Sequence, residues 1–339
     1  MKAIVIKTPG GPEVLTLEEV RTPTASRGEV RVRVGATAVN RADLLQRKGL
    51  YPAPPDAPQD IPGLEFAGEI DELGEGVTDW RVGDRVCGLV GGGAYAEQLV
   101  VHARTLVAMP ANMTFSEAAA LPEAFATALD AMVIQGGLAV GQSVLIHAVG
   151  SGVGTAAVQI ARAMGARAIG TSRTERKLGE ARRLGLDVGI VVGKDGTFAE
   201  RVLAETNGRG VDVVLELVGG GYVAEDLRAT KVGGHVVVVG LMAGRKVDLD
   251  LGLLLRRRIV MHGTVLRARP LEEKIATALA LRNHLAPLFD SRTVRPVIDR
   301  TFPLAEAAAA HAYLESNEGF GKVVLEVATD GIGDRLAPS

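Results

Sequence analysis

The sequence predicts an α/β protein in which a β-rich section is joined to a doubly wound parallel sheet. Three observations predict this class. The first hundred residues carry short apolar or alternating runs separated by clusters of glycine, proline and aspartate. From about residue 116 onward, strand patterns alternate with helix patterns. The length of 339 residues is enough for two domains of ordinary size.

The composition excludes disordered and nucleic-acid-binding classes. Hydrophobic residues make up 47% of the chain and charged residues 23%, and the mean hydropathy is +0.19, so large cores can form. The net charge of −2 offers no basic field for nucleic acid or an anionic membrane. Glycine is enriched, at 42 of 339 residues or about 12%, whereas roughly 7% is usual. This enrichment is typical of tight turns and of close backbone approach to a ligand.

Cysteine usage limits the possible covalent and metal chemistry. Cys87 is the only cysteine, so neither an intrachain disulfide nor a cysteine-rich zinc site can form. A single cysteine fits a reducing compartment. No apolar run approaches the roughly 18 residues of a membrane span, and residues 1–7 are predicted to be a first strand rather than a signal peptide. We therefore expect a cytoplasmic protein.

The β-rich section begins with short strands. Strands are predicted at Ala3–Ile6, Val30–Val34 and Leu99–Val101 from apolar or alternating runs. The segment Tyr51–Pro62 carries five prolines, so it cannot form a regular helix. An extended loop of this kind is compatible with a lid over a site and equally with a simple connector.

The parallel section follows from the alternation of strands and helices. Several of its strands are continuous apolar runs, which are typical of strands buried on both faces. Strands are predicted at Ser143–Ala148, Arg167–Thr171, Val188–Val192, Val211–Leu217, His235–Val239 and Ile259–Leu266. Helices are predicted at Val153–Met164, at Thr174–Leu184, from a capping box of Thr197 and Glu200 to Thr206, and at Leu271–Leu285. The ordered chain is predicted to close with Phe302–Glu315 and Lys322–Val327, followed by a frayed tail at 329–339.

A glycine-rich turn between the first strand and the first helix of this section is the main chemical motif. Glycine lets backbone N–H groups approach a pyrophosphate, and the helix N-terminus adds partial positive charge. The spacing departs from a regular G-x-G-x-x-G pattern, but the strand before it and the helix after it predict dinucleotide binding. The alternative is an ordinary turn in a sheet that binds no ligand. The predicted phosphate-binding residues are Gly150, Ser151, Gly152, Val153 and Gly154.

The tip of the second parallel strand predicts the choice of cofactor. NAD-selective folds keep an acidic residue there for the ribose 2′-hydroxyl, whereas this chain has Ser172 and Arg173. Lys177 lies four residues after Arg173, on the same face of a helical turn. Two cations and a hydroxyl suit a 2′-phosphate, so NADPH is the predicted cofactor. The alternative is a solvated basic helix start.

Four stretches that together span nearly the whole chain carry a family resemblance. They are NRADLLQRKGLY at 40–51, LPEAFATA at 121–128, HAVGSGVGTAA at 147–157 and GLM at 240–242. In these stretches the chain resembles the zinc-independent quinone oxidoreductase branch of the medium-chain dehydrogenase/reductase superfamily. Within this zeta-crystallin-like branch it is most similar to the stress-inducible type. The resemblance implies a GroES-like catalytic domain at 1–121 and 288–328, and an NADP-binding Rossmann domain at 122–287.

The resemblance also implies that no metal takes part. Zinc-dependent members of the superfamily place a cysteine where Asn40 stands and a histidine where Leu64 stands, and they carry a cysteine-rich lobe. This chain has none of these, and its six histidines form no ligand cluster in sequence. His147 and His235 are predicted to be hydrogen-bonded core residues. Without a Lewis acid, an acceptor that takes hydride easily is expected, such as a quinone or an activated C=C bond.

The resemblance places individual residues around cofactor and substrate. It implies that Asn40 and Tyr51 line the substrate cleft, that Asp43 holds the Asn40 loop, and that Thr127 contacts the nicotinamide. Tyr51 is able to stack on a flat acceptor or to donate a hydrogen bond to its carbonyl; the alternative is a loop tyrosine packed on the proline-rich segment. The residues implied at the nicotinamide pocket are Gly240, Leu241, Met242 and Leu266.

One segment departs from the family pattern. Some relatives keep an arginine near the C-terminus for the 2′-phosphate, and this chain has Ser316, Asn317 and Glu318 there. Asn317 and Lys322 are expected as further cofactor contacts, with Lys322 either reaching the cofactor or lying on its rim. The predicted phosphate site therefore depends on the residues at the tip of the second parallel strand.

These features predict an NADPH-dependent quinone oxidoreductase that transfers hydride without zinc. No general acid is required for a quinone, because its dianion takes protons from solvent. Two alternatives are an NADPH-dependent reductase of enones or enoyl groups, for which Tyr51 is the candidate proton donor, and an NADPH-binding protein with little turnover. The strand Ile259–Leu266 is predicted to be an apolar sheet edge. Relatives pair this edge across a two-fold axis, so a homodimer is expected.

Overall fold

The structure, a computed structural model, describes residues 1–327. The frayed tail predicted at 329–339 lies outside the described residues. Strands and helices are numbered along the chain. The strands are β1 (Lys2–Ile6), β2 (Leu15–Glu19), β3 (Glu29–Val39), β4 (Glu65–Leu73), β5 (Arg85–Leu89), β6 (Gln98–His102), β7 (Leu106–Ala108), β8 (Ser143–Ile146), β9 (Arg167–Ser172), β10 (Val188–Val191), β11 (Val211–Glu216), β12 (Thr230–Val238), β13 (Val260–Gly263), β14 (Ile298–Pro303) and β15 (Lys322–Glu326). The helices are α1 (Arg41–Arg47), α2 (Phe115–Ala119), α3 (Pro122–Leu129), α4 (Gly152–Ala163), α5 (Glu175–Leu184), α6 (Ala199–Glu205), α7 (Tyr222–Ala229), α8 (Leu251–Arg257), α9 (Leu271–Ala280), α10 (Ala286–Asp290) and α11 (Ala307–Ser316).

The chain forms two units. Met1–Ala126 and the chain from Leu266 onward make the first, here called the split unit because two separate segments build it. Thr127–Val265 make the second, here called the inserted unit. The domain boundaries at 121/122 and 287/288 stay a prediction. Within residues 1–327, no helix has both the length and the apolar character of a membrane span.

A seven-stranded sheet organises the split unit. Its order is β14-β15-β3-β4-β5-β7, and β6 also pairs with β3. β14 and β15 are parallel, whereas the other pairs are antiparallel. Val30, Val32 and Val34 of β3 are fully buried and alternate with less buried residues, because one face of the strand packs on the core. β15, the last strand of the described chain, thus lies inside the sheet beside β3.

A six-stranded parallel sheet organises the inserted unit. Its order is β10-β9-β8-β11-β12-β13. Val144, Leu145 and Ile146 of β8 are all fully buried, as expected for a strand that is covered on both faces. The strand order reverses between β8 and β11, and ligands of open parallel sheets bind beyond the carboxyl ends of the strands at such a point. The predicted fold class, a β-rich section with a doubly wound parallel sheet, is confirmed.

The capping box predicted for α6 is wrong. Phe198 is the N-cap residue, and neither Thr197 nor Glu200 caps the helix. The Glu225 carboxylate of α7 does so instead, because one of its oxygens accepts the N–H groups of Phe198 and Ala199, both at 2.9 Å. A carboxylate at a helix N-terminus is favourable. The cap therefore comes from a neighbouring helix, which a local sequence pattern does not reveal.

Two other elements end earlier than predicted. β13 spans Val260–Gly263 instead of Ile259–Leu266, because its partner β12 ends at Val238. α9 ends at Ala280, and the chain continues through wider helical turns at 281–285.

Candidate functional site

The turn between β8 and α4 is shaped for close backbone approach. Ala148 has a φ of +48°, and a Cβ on Gly154 would lie 2.4 Å from the Ala148 carbonyl oxygen. Only glycine fits at 154, because α4 starts so close to this turn. Ser151 is the N-cap residue, and its Oγ accepts the Gly154 N–H at 3.0 Å. The predicted order of strand, glycine-rich turn and helix is therefore present.

The N-terminus of α4 presents hydrogen-bond donors. The N–H groups of Gly152 and Val153 have no acceptor among the described residues, as is usual at a helix start. Ser151, Gly152 and Val153 are partly exposed, whereas Gly150 is buried. The helix is 12 residues long, so its dipole adds partial positive charge at this end. A pyrophosphate group of a dinucleotide fits this set of donors.

The tip of β9 carries the three residues predicted to bind the 2′-phosphate. Ser172 ends the strand as a buried residue, and its Oγ accepts a backbone N–H of the following turn at 3.3 Å. Arg173 is exposed directly after the strand, and Lys177 is partly exposed in the first turn of α5. Glu175, the acidic residue closest in sequence, forms an ion pair with Arg182. A phosphate suits two neighbouring cations at this position.

The inserted unit also holds most of the residues implied to lie at the nicotinamide. Thr127 is buried on α3. Gly240 approaches Leu217 so closely that a Cβ would lie 2.3 Å from its carbonyl oxygen. Leu241 and Met242 follow β12 and are 48% and 55% exposed. These two apolar side chains are thus available for contact with a ligand.

A buried polar cluster lies at the carboxyl ends of β8 and β11. The ring nitrogens of His147 lie 2.8 Å from Thr171 Oγ1 and 2.8 Å from Asp226 Oδ1, so His147 is confirmed as a hydrogen-bonded core residue. Burial raises the pKa of Glu216 to about 8 and that of Asp226 to about 7. Their positions would allow the three side chains to share a metal ion, but protonated carboxyl groups disfavour one. His235 is different, because its Nδ1 has no partner in the described part of the chain, and the prediction made for it is wrong.

In the split unit, Asp43 fixes the turn from β3 into α1. Its carboxylate accepts the Asn40 N–H at 2.8 Å and the Gly63 N–H at 3.1 Å. Burial raises the pKa of Asp43 to about 6, against the lowering effect of these two hydrogen bonds. The expectation that Asp43 holds the Asn40 loop is confirmed.

Asn40 belongs to a buried ionic network. Lys322 Nζ donates to Asn40 Oδ1 at 2.6 Å, to Glu65 Oε1 at 2.7 Å and to the Val39 carbonyl oxygen at 3.3 Å. Asn40 Nδ2 donates to the same Glu65 oxygen at 2.9 Å. Lys322 is 4% exposed and Glu65 is 0% exposed. Lys322 therefore makes its hydrogen bonds inside the split unit, and the expectation that it reaches the cofactor or lies on its rim stays a prediction.

This network does not fit a zinc ion at the position where the resemblance places zinc ligands. Asn40 Oδ1 already accepts from an ammonium group, and Leu64 is apolar and buried. The Glu65 carboxylate is paired with Lys322 at 2.7 Å. A divalent cation beside this ammonium would meet strong repulsion in a buried setting.

Tyr51 lies against a buried arginine that sequence analysis missed. The guanidinium carbon of Arg267 is 5.1 Å from the centre of the Tyr51 ring. The guanidinium donates to the carbonyl oxygens of Gly91 at 2.7 Å and Tyr51 at 3.2 Å, and to Gln46 Oε1. Burial raises the pKa of the Tyr51 hydroxyl, so this group is a donor at neutral pH. The partners of Arg267 lie 176 to 221 positions earlier in the chain, and no local pattern marks them.

Asn317 has hydrogen-bond partners within the split unit. It has a φ of +58° and ends α11. Its Nδ2 donates to the Glu315 carbonyl oxygen at 2.8 Å, and its Oδ1 accepts from Arg41. Leu266, also implied at the nicotinamide, is a buried residue of the split unit.

Two family models match the chain. Residues 26–111 match the alcohol dehydrogenase GroES-like domain. Residues 152–282 match the zinc-binding dehydrogenase family. The first match falls in the split unit, and the second begins at α4.

Three relatives match nearly the whole chain. Quinone oxidoreductase of Rattus norvegicus is 31% identical over 96% of this chain and 97% of its own length. The 2-haloacrylate reductase of Burkholderia sp. is 33% identical over 95% of this chain and 98% of its own length. Polyketide synthase GfsB of Streptomyces halstedii is 35% identical over 96% of this chain, which spans only 6% of that protein.

Solved structures share the fold. Escherichia coli quinone oxidoreductase complexed with NADPH has a TM-score of 0.86 and 29% identity, covering 96% of this chain and 100% of that chain. An NAD-dependent alcohol dehydrogenase has a TM-score of 0.85 and 32% identity, covering 97% of this chain and 100% of that chain.

Proposed function

The chain belongs to the quinone oxidoreductase branch of the medium-chain dehydrogenase/reductase superfamily and is an NAD(P)H-dependent oxidoreductase. From this premise we propose that it transfers hydride from NADPH to a quinone without zinc. The buried network of Asn40, Glu65 and Lys322 carries the proposal, because an internal ion pair takes the place of a metal and its ligands. Without a Lewis acid, the acceptor must take hydride easily, as a quinone does.

The choice of NADPH rests on the tip of β9. Ser172 stands where an NAD-selective relative has its acidic residue, so no carboxylate at that position repels a 2′-phosphate. Arg173 is exposed next to it, and Lys177 follows one turn later. These cations suit charge-assisted hydrogen bonds to the phosphate.

Each part of the chain has a distinct task in the proposed reaction. The bound cofactor supplies a hydride. The N-terminus of α4 binds the pyrophosphate, while Thr127, Leu241 and Met242 orient the nicotinamide end. The Tyr51 hydroxyl donates a hydrogen bond to a carbonyl oxygen of the acceptor, which stabilises negative charge on that oxygen as hydride arrives. Lys322 and Glu65 hold the Asn40 amide in one orientation, and the hydroquinone takes its protons from solvent.

Consumption of NADPH by purified protein tests this proposal. We expect turnover with ortho- and para-quinones, and no change after treatment with EDTA. Loss of activity on chelation and its return with zinc would show that the interpretation of the Asn40 network is wrong. NADPH binding without turnover of any acceptor would favour the low-turnover binding protein.

A second candidate function is the reduction of an activated C=C bond. It is supported by the similarity to the 2-haloacrylate reductase and the polyketide synthase. For this function the Tyr51 hydroxyl is the candidate proton donor. Its pKa is raised, so it keeps its proton at neutral pH. A panel of α,β-unsaturated ketones beside the quinones distinguishes the two functions.

The proposed assembly is a homodimer formed through β13. This strand is the edge of the parallel sheet, and its Val260 and Met261 are 46% and 38% exposed. An exposed apolar edge is a liability unless it is paired. Light scattering at micromolar concentration should give twice the chain mass, whereas a monomer mass would contradict the proposal. The cytoplasmic location stays a prediction.

A further inference from the structure

Glu123 is an acidic side chain without a hydrogen-bond partner in the split unit. It is the second residue of α3, and its backbone N–H donates to Glu65 Oε2 at 2.7 Å. This bond fixes the backbone of Glu123 to the network that holds Asn40. Among the described residues, its carboxyl group makes no hydrogen bond.

Glu123 lines a largely apolar cleft of the split unit. The cleft is open to solvent, and the volume of about 460 Å³ assigned to it includes part of that solvent. Glu123 is the only acidic residue among those that line it, and Arg267 and Lys274 are its cations. Leu89, Val90 and other apolar residues form the walls, which suit a flat, mostly apolar molecule.

Two opposing sets of groups surround the Glu123 carboxyl group. Burial and a neighbouring carboxylate favour its protonated form, whereas neighbouring cations stabilise its anion. Burial and the Glu65 carboxylate raise the pKa of Glu123 to about 8. Lys322 and Arg267 lower it. The group therefore carries a proton at neutral pH, and two cations remain to stabilise the carboxylate after the proton has left. An acid with a pKa near the working pH is a good proton donor. The charged and titratable groups around Glu123 are Asp43, Tyr51, Glu65, Arg267, Lys274 and Lys322.

We propose that Glu123 is the proton donor when the protein reduces the C=C bond of an α,β-unsaturated carbonyl compound. This inference rests on the proposed hydride transfer and names the substrate class of its second candidate. Tyr51 lies in the same surroundings, since Arg267 contacts its ring and Glu123 raises the pKa of its hydroxyl. In this proposal Tyr51 donates a hydrogen bond to the carbonyl oxygen of the substrate, and Glu123 donates a proton to the α-carbon.

The atoms and electrons of this reaction balance. Hydride from NADPH forms the new C–H bond at the β-carbon, and the electron pair of the C=C bond moves toward the carbonyl to give an enolate. The O–H bond of Glu123 breaks, its proton forms the C–H bond at the α-carbon, and the carboxylate remains. A proton from solvent then restores the acid. In sum, one NADPH is oxidised and the substrate gains two hydrogen atoms.

The carboxyl group is a better donor to carbon than the phenol of Tyr51. The pKa of Tyr51 is raised above its ordinary value of 10.0, whereas the pKa of Glu123 is about 8, so Glu123 is the stronger acid. Proton transfer to an enolate is therefore more favourable from Glu123. The phenol, which stays protonated, is suited to holding the carbonyl oxygen.

The experiment compares E123Q, Y51F and a control variant E19Q, with 2-cyclohexenone and 1,4-naphthoquinone as acceptors. Glu19 is exposed on β2, so E19Q should match the native protein with both. We expect E123Q to lower the ratio of kcat for the enone to kcat for the quinone at least about 100-fold, the size of a lost general acid. The KM for the enone should change less than about threefold. E123D should recover part of the loss.

The pH dependence supplies a second readout. In the native protein, kcat for the enone should fall above about pH 8, where Glu123 loses its proton, and E123Q should lack this limb. At pH 7 and without cofactor, the infrared spectrum of the native protein minus that of E123Q should contain the carbonyl band of one protonated carboxyl group, because the bands of Glu216 and Asp226 are common to both proteins and cancel.

The outcomes separate this inference from the proposed function. An equal loss with both acceptors, an unchanged ratio or a missing infrared band overturns the role of Glu123. A pH limb that disappears in Y51F but persists in E123Q assigns the proton to Tyr51 and also overturns it. Quinone reduction without enone reduction overturns the inference and leaves the proposed function standing. Failure with both acceptors in the presence of NADPH overturns the proposed function itself.

Discussion

One ammonium group balances the buried charge beside Asn40. Lys322 donates to a backbone carbonyl, to an amide oxygen and to the fully buried Glu65 carboxylate. A charge in this position is tolerated because its partner is close and every proton is used. Removing the ammonium leaves Glu65 as an uncompensated buried charge, which is far more costly than the net value of the pair.

Lys322→Met should therefore lower the free energy of unfolding by about 3–5 kcal/mol. Urea denaturation measures the loss. The matched control is the double variant Lys322→Met with Glu65→Gln, which removes both charges and should recover most of the stability. Equal stability of Lys322→Met and the native protein would contradict the description of this pair as buried and mutually dependent.

The three residues at the tip of β9 should determine the choice of nicotinamide cofactor. Hydrogen bonds to charged groups contribute about 1.5–3 kcal/mol each, so a preference for NADPH of about tenfold or more is expected. It should shrink as salt rises, because Arg173 is exposed. Ser172→Asp should invert the preference by placing a carboxylate where the phosphate binds.

A paired substitution serves as the control for that prediction. Arg173→Ala with Lys177→Ala should weaken NADPH binding and leave NADH binding nearly unchanged, as measured by fluorescence titration. If the native protein binds both cofactors equally, or if the double variant loses both equally, these residues do not form a phosphate site.

At the level of elements, local patterns predicted the strands and helices well where the spacing of apolar residues along the sequence matches the positions that are buried. The apolar run of β8 and the glycine at 154 each follow from local geometry, and both are present. The start of α6 was predicted wrongly, because its cap comes from Glu225 on another helix. Short-range signals therefore fix most elements, whereas their ends depend on contacts distant in sequence.

Glu225→Ala should lower the free energy of unfolding by about 1 kcal/mol, the usual value of a helix cap. Burial raises the pKa of Glu225, but two backbone N–H groups and Arg228 lower it more, so the net shift is downward. The stabilisation is therefore present above the unfolded pKa of about 4.3 and is lost as the pH falls through the lower folded value. Urea denaturation at pH 7 and at acid pH measures both effects.

Glu200→Ala is the matched control. Glu200 also pairs with Arg228, but its side chain is 88% exposed and caps nothing. Its removal should change the unfolding free energy by less than about 0.5 kcal/mol. An equal effect of the two substitutions would mean that Glu225 acts through Arg228 and not as a cap.

For the whole molecule, buried acids should make stability depend on pH near neutrality. The folded pKa of Glu216 is about 8 and that of Asp226 about 7, both above their unfolded values. The folded protein thus binds more protons, and stability falls as the pH rises through this range. The lowered pKa values of His147 and His311 act in the opposite direction, but only below about pH 6.5.

The free energy of unfolding should therefore fall between about pH 6.5 and 8, and Glu216→Gln should flatten this slope by at most about 1.4 kcal/mol per pH unit. Denaturation at three pH values measures the slope. Glu205→Gln, at an exposed position, should leave it unchanged. A slope that is identical in Glu216→Gln and the native protein would exclude a proton on this buried cluster.

The candidate site was only partly predictable for a related reason. The glycine-rich turn and the basic tip of β9 are contiguous in sequence and were found from it. Glu65, Arg267 and the internal role of Lys322 were missed, because their partners lie on strands and loops far away in the chain. Glu123 was visible only as part of a resemblance, and its exposure to a cleft required the fold.

The position of β15 in the sheet determines the order in which the two units can fold during protein synthesis. The inserted unit is one continuous stretch and leaves the ribosome before β14 and β15 exist. The split unit must wait, because β15 pairs with β3 from the opposite end of the chain. Until then residues 36–39 of β3 lack a strand partner on that side, where β6 pairs only with residues 29–33, and the Glu65 charge lacks its ammonium. The nascent chain is therefore most prone to aggregation in the interval before Lys322 emerges.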